Sequence, residues 1–170
     1  SSSGLPRTAA VSPRVQVADH TASSNADVVA ASRDALAWPH LSVLVTDDQR
    51  AGRGRLDRSW TTPPGTAVAM SVLLRLPELP PHARGWIPLA AGAAMTQTLR
   101  SMLRGHDVSL KWPNDVLVDG KKICGILAEA TASFEAVVVG AGVNTAMTET
   151  DLPVSTATSF AVLGVTADVD

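Results

Sequence analysis

A chain of 170 residues, 45% of them apolar, has room for one domain with a substantial core and too little for two ordinary ones. Its 14 Lys and Arg against 16 Asp and Glu leave a formal charge of −2, which excludes a global attraction to nucleic acid or to an anionic membrane and confines anion binding to local sites. One cysteine, Cys124, excludes an internal disulfide framework and suits a reducing cytoplasm, and no window approaches the roughly 18 apolar residues of a membrane span or the pattern of a secretory signal.

Residues 1–14 mix Ser, Ala, Pro and Gly without periodicity and read as a mobile tail, so the folded domain is expected over 15–170. Val15 and Val17 begin a short strand. The run Ser23-Ser24-Asn25 precedes the helical pattern from Val28, where a hydroxyl or amide caps the first free amides and leaves others exposed to a polar ligand. Residues 41–46 are β-branched and apolar, a buried strand, and residues 66–76 form a second. Residues 86–103 have helical spacing, with Pro88 acceptable in the first turn. Residues 108–110, 116–118 and 123–128 read as strands, with Asp119-Gly120 as the hairpin turn between the last two, and residues 134–140 as another. Strands in hairpin-like succession with one long and one shorter helix indicate an α+β fold with a mixed, mainly antiparallel sheet.

Two stretches carry chemistry. From Asp47 to Trp60 the chain reads DDQRAGRGRLDRSW, with Arg50, Arg53, Arg55 and Arg58 around Gly52 and Gly54. The glycines let the backbone approach a ligand, and the guanidinium forks match carboxylate and phosphate oxygens. Trp60 is placed to pin this loop by packing. From Lys111 to Glu129 the chain reads KWPNDVLVDGKKICGILAE. Asn114 and Asp115 are turn formers, and of the neighbours Lys121 and Lys122 only one can face inward; the register of Gly125 favours Lys122. Cys124 is read as a small buried apolar residue, and no histidine has partners at metal-ligand spacing.

Four blocks in order, Ser23-Ser24-Asn25, Gln49 with Gly52-Arg53-Gly54-Arg55, Lys111-Trp112-Pro113-Asn114-Asp115 with Lys122 and Gly125, and Gly140-Ala141-Gly142-Val143-Asn144, resemble the biotin protein ligases. The resemblance covers about residues 15–165 and implies the catalytic fold shared with class II aminoacyl-tRNA synthetases and lipoyl ligases. It implies that biotin and ATP, with Mg²⁺, form biotinyl-5′-adenylate, which then acylates a lysine on the biotin carboxyl carrier domain of a carboxylase such as acetyl-CoA carboxylase. By the same resemblance Lys122 stabilises charge at the reacting phosphate, and Arg53, Gly54 and Arg55 close over the adenylate, with Arg55 limiting its escape. Ser23, Ser24, Asn25 and Gln49 bind the biotin head group, and Gly125, Gly140 and Gly142 permit its close approach. Arg58, Asn114, Asp115 and Asn144 face the nucleotide, Asp115 helps to hold Mg²⁺ or to orient it, and Lys111 neighbours the arriving acceptor lysine.

Ser24 stands where the family has threonine, which keeps the hydroxyl and drops a methyl. The resemblance implies a monofunctional cytoplasmic enzyme without an N-terminal DNA-binding domain, and the small SH3-like domain that follows the family's catalytic domain is absent from this chain. Two alternatives remain: a lipoate or octanoate ligase or transferase of the same fold, and a non-catalytic biotin-binding module.

Overall fold

The computed structural model describes residues 4–56 and 58–170. Its centre is a seven-stranded sheet in the order β1-β2-β5-β9-β8-β7-β6, built from β1 (Val15–Val17), β2 (Val43–Thr46), β5 (Ala67–Arg75), β6 (Val108–Lys111), β7 (Asp115–Val118), β8 (Lys121–Ala130) and β9 (Ala136–Asn144). A two-stranded ribbon, β3 (Gly52–Arg53) with β4 (Ser59–Trp60), stands apart from it. Only β1 and β2 pair in parallel among the named strands; every other pair is antiparallel, as expected for an α+β chain of consecutive hairpins. The turn at Asp119 and Gly120 takes positive φ at both residues (50° and 78°), the geometry that matches the twist of a two-residue hairpin.

Among the described residues, three helices cover the sheet: α1 (Pro6–Val11), α2 (Ser24–Ala31) and α3 (Ile87–Met102), the last entered through a 3₁₀ turn at Pro81–Trp86. On one face, α3 buries Leu99 and Leu103 against Val116, Ile126, Val139 and Phe160. Gly92 allows this contact, because a Cβ there would lie 2.7 Å from a Leu110 methyl. Beside it, Leu5 packs with Val15, Val43 and Val45. On the opposite face, α2 buries Val28 against Leu44, Leu73 and Val138. No helix among the described residues is long and apolar enough to cross a membrane.

The expected mobile tail is a correction. Pro6–Val11 is helical, Leu5 is buried, and the first-turn amides of Arg7 and Thr8 donate to the Asp170 carboxylate at 2.8 and 2.9 Å. A single buried leucine leaves no periodic trace, and both of its anchors are contributed by distant parts of the chain.

Candidate functional site

Four adjacent strands build the floor. On the face toward α2, Ala69 of β5, Gly142 of β9, Gly125 of β8 and Asp115 of β7 lie in one row across the sheet, and Ser71, Gly140 and Leu127 lie in the next. Small side chains in adjacent registers of adjacent strands leave a hollow where a sheet would normally carry a layer of apolar packing. A cavity of about 330 Å³ occupies it, walled by the start of α2, the arginine loop and the turn from Lys111 to Asp115.

One end of this cavity is a closed polar network. Ser23 caps α2, its Oγ accepting from the Ala26 amide at 3.3 Å. Ser24 donates to Gln49 Oε1 from both its amide (2.8 Å) and its hydroxyl (2.9 Å). The buried Ser71 hydroxyl shares its single proton between Ser24 Oγ (2.8 Å) and Asn25 Oδ1 (2.7 Å). Asn25 Nδ2 donates to the Leu127 carbonyl at 3.1 Å and to Glu129 Oε2 at 2.8 Å. The network needs Gly140, since a Cβ there would sit 2.3 Å from Asn25 Oδ1.

The arginine loop closes the opposite side and divides its four arginines. Arg50 pairs with Asp48 at 2.8 Å and is absent from the cavity lining, whereas Arg53, Arg55 and Arg58 line it. The Gly54 amide bonds the Arg58 carbonyl at 2.6 Å, and Arg53 reaches Glu129 Oε1 at 3.1 Å. Gly52 is buried behind the wall, where a Cβ would lie 2.3 Å from Gln49 Nε2. Trp60 covers the floor glycines, with ring atoms 2.7 Å from a Cβ built on Gly142 and 3.6 Å from one on Gly125, so it packs on the site as well as on the loop.

The charged end is set by a β-bulge. Leu117 opposes Lys122 while Val116 opposes Cys124, so Ile123 is the extra residue on β8. In a regular strand, residues three apart face opposite sides; the bulge brings Lys122 and Gly125 to the same one, and Lys121 is left exposed. Lys122 Nζ lies 2.8 Å from Asp115 Oδ1, a close ion pair whose angles fall short of an aligned hydrogen bond, and 5.8 Å from the Trp60 ring centroid. Its backbone is tied to the 156–158 segment, donating to Thr156 and accepting from Thr158 at 2.8 Å each. Asn114 holds the turn by donating from Nδ2 to the Ile126 carbonyl at 2.9 Å, and Lys111 stands exposed at the rim.

Burial drives the Cys124 thiol up to about 12, so it is a neutral packing residue. Among the described residues, five basic side chains (Arg53, Arg55, Arg58, Lys111, Lys122) and one carboxylate (Asp115) line the cavity, a balance suited to an anionic ligand. Among them too, no three His, Cys, Asp or Glu side chains converge as a metal cage. Asp115 is the carboxylate that lines the cavity, paired there with Lys122, and Glu129 lies farther along β8.

Of the residues picked out in the sequence as ligand contacts, all but Arg50, Gly52 and Asn144 therefore border one cavity. Gly52 supports its wall, and Asn144 turns away, donating to the Thr158 carbonyl at 2.9 Å with Oδ1 buried and unpartnered. Sequence reasoning missed Ser71, Ala69, Leu127 and Glu129. For Ser71 a signal existed: it is the one hydroxyl in the alternating small series Ala67, Ala69, Ser71 of an otherwise apolar strand.

Known proteins resemble this chain in sequence and fold. A Mycobacterium tuberculosis biotin–[acetyl-CoA-carboxylase] ligase is 37% identical over 156 residues, 91% of this chain, and the chain spans 57% of that relative's length. The biotin protein ligase of Leishmania major, solved with biotinyl-5-AMP, superimposes with a TM-score of 0.75 at 26% identity, covering 92% of this chain and 68% of that one. The Aquifex aeolicus biotin protein ligase, solved with biotin and ATP, gives 0.74 at 27% identity, covering 91% and 63%. Residues 17–144, which carry the polar network, the arginine loop and the bulged hairpin, match the Biotin/lipoate A/B protein ligase family, and the chain belongs to it.

Proposed function

We propose that this chain is the catalytic unit of an ATP-dependent biotin protein ligase acting on the biotin carboxyl carrier domain of a carboxylase in a reducing cytoplasm. The observation that carries the reading is the placement of the Lys122–Asp115 pair at one end of a glycine floor whose other end is a hydroxyl and amide network. A fused cyclic urea presents two N–H groups and a carbonyl, which Ser24, Ser71, Asn25 and Gln49 complement. An aliphatic acyl chain offers no donor or acceptor to that end of the cavity. The ring lies beside Gly140, next to the Trp60 indole that covers Gly142, and its valeryl chain runs past Gly125 toward Lys122.

Two anions must then meet. Their repulsion at 4 Å is about 4 kcal/mol at an effective dielectric near 20, so cations at the junction are required. Lys122 has three protons; one faces Asp115 and the others are available to the biotin carboxylate and the α-phosphate. A carboxylate oxygen attacks the α-phosphorus, the bond to the bridging oxygen breaks, and pyrophosphate leaves with that electron pair. Arg53, Arg55 and Arg58 hold the charge that develops and cover the acyl adenylate. The acceptor ε-amine then attacks the acyl carbon near Lys111, loses a proton, and AMP departs. Asp115 would be the protein contact for Mg²⁺, which would supply neutralisation of phosphate charge.

The test is pyrophosphate release with biotin and Mg-ATP. Biotin-dependent release that falls about 10²- to 10³-fold in Lys122→Ala supports the reading, and faster loss of adenylate to water in Arg55→Gly supports the covering role of the loop. Release driven by lipoate or octanoate instead of biotin, or biotin binding without release, would replace it with the lipoyl ligase or binding-module alternative.

A further inference from the structure

Glu129 touches both halves of the site. Its Oε2 accepts from Asn25 Nδ2 at 2.8 Å, and its Oε1 lies 3.1 Å from an Arg53 guanidinium nitrogen. It projects from β8 on the site face, two residues beyond Leu127 and in register with Val138. There it borders a second hollow of about 480 Å³ that adjoins the cavity beneath Arg53 to Leu56 and Trp112 to Asn114. The Glu129 side chain is 26% exposed and that of Arg53 57%, so the pair can open to admit a ligand.

We infer that Glu129 is a positioning residue that latches the arginine loop to the polar network, holding the place of the ligand's anion at Arg53 and orienting the Asn25 amide. Two functions meet on one carboxylate because Asn25 and Arg53 approach it from opposite sides. An anion reaching Arg53 displaces one Glu129 oxygen and leaves the other on Asn25, so the loop is released while the polar end stays organised. The inference rests on the ligase reading for the identity of the ligand, but the latch itself is a property of the chain alone.

Glu129→Gln separates the two contacts, because the amide oxygen still accepts from Asn25 while the charge that holds Arg53 is gone. The latch is read by limited chymotrypsin digestion of the ligand-free chain, with mass analysis of cleavage at Leu56, which is 83% exposed within the loop, against Leu36, which is 97% exposed outside it. The Leu56 to Leu36 cleavage ratio is expected to rise about threefold in Glu129→Gln and in Arg53→Gln, and no further in the double variant. An unchanged ratio in either single variant, or additive effects in the double, overturns the latch. For the second contact, the biotin Kd is expected within about twofold of wild type in Glu129→Gln and about tenfold weaker in Glu129→Ala. Equal weakening in both overturns the orienting role. Failure of wild type to bind biotin counts against the ligase reading, and the cleavage ratio then still decides the latch.

Discussion

Lys122 and Gly125 share one face of the sheet although they are three positions apart, because Ile123 has no counterpart on β7. A Cβ on Gly125 would lie 3.1 Å from Lys122 Nζ and 3.2 Å from Cε, the flexible end of a side chain that can yield. Gly125→Ala is therefore expected to change stability by less than about 1 kcal/mol. It should lower biotin-dependent pyrophosphate release about tenfold by displacing the ammonium from the reacting atoms. Thermal unfolding and the release assay, run on one preparation, check both parts.

Gly140→Ala should behave differently. The new Cβ would meet Asn25 Oδ1 at 2.3 Å, and β9 cannot move away because it is paired with β5 and β8 along its length. Overpacking of this kind costs about 1–3 kcal/mol, and biotin affinity should fall with it. Adding Asn25→Ala should recover part of the stability but none of the affinity, which urea unfolding and calorimetric titration would resolve.

Cys124 gives an alkaline signature. Burial raises its thiol to about 12, so the folded state keeps a proton that the unfolded chain releases above its ordinary value near 9. The stability associated with this group is fully present below pH 9 and declines as pH rises toward 12, at up to about 1.4 kcal/mol per pH unit. The sequence has no tyrosine to obscure the effect, and the difference between wild type and Cys124→Ala isolates it from the lysines. At neutral pH the thiol should resist alkylation in the native protein and react fully in denaturant, as a mass measurement will show.

Asp119 gives the acidic counterpart. A hydrogen bond with the His106 ring, then one from the Asp107 amide, holds its carboxyl below the usual carboxylate range. A lowered folded value means that the stabilisation is present above about pH 4, where the unfolded carboxyl is ionised, and is lost as pH falls through the folded value. Asp119→Asn keeps the turn, since Asn also tolerates positive φ. Its melting temperature should lie below wild type at neutral pH and converge with it in acid; a constant gap from pH 7 to about pH 2 would refute the assignment.

Leu5→Ala tests whether the N-terminal segment belongs to the fold. Leu5 is 5% exposed and packs on β1 and β2, whereas Val11 is 75% exposed. Loss of the leucine side chain should cost about 2–3 kcal/mol. Val11→Ala should stay within about 0.5 kcal/mol of wild type. Denaturant unfolding of the two variants gives the comparison.

Features that depend on neighbours along the chain were legible in advance. Ser23 caps its helix, Asp119-Gly120 turns its hairpin, and Gly52-Arg53-Gly54-Arg55 makes a basic loop, because each uses backbone rules that operate within a few residues. Lys122 lines the cavity beside Gly125 while Lys121 is exposed, and the bulge at Ile123 that arranges this has no sign in the strand pattern. Glu129 and the packing of Leu5 were out of reach, and Ser71 left only its place in a series of small residues, for a common reason: each acquires its role from partners far away in the chain. Ser71 meets Asn25 across 46 residues, and Asn25 meets Glu129 across 104. Strand periodicity tells which residues share a face, but the registers among β5, β9 and β8 place Ala69, Gly142 and Gly125 side by side. That alignment turns separate small residues into one hollow, and it exists only once the strands have paired.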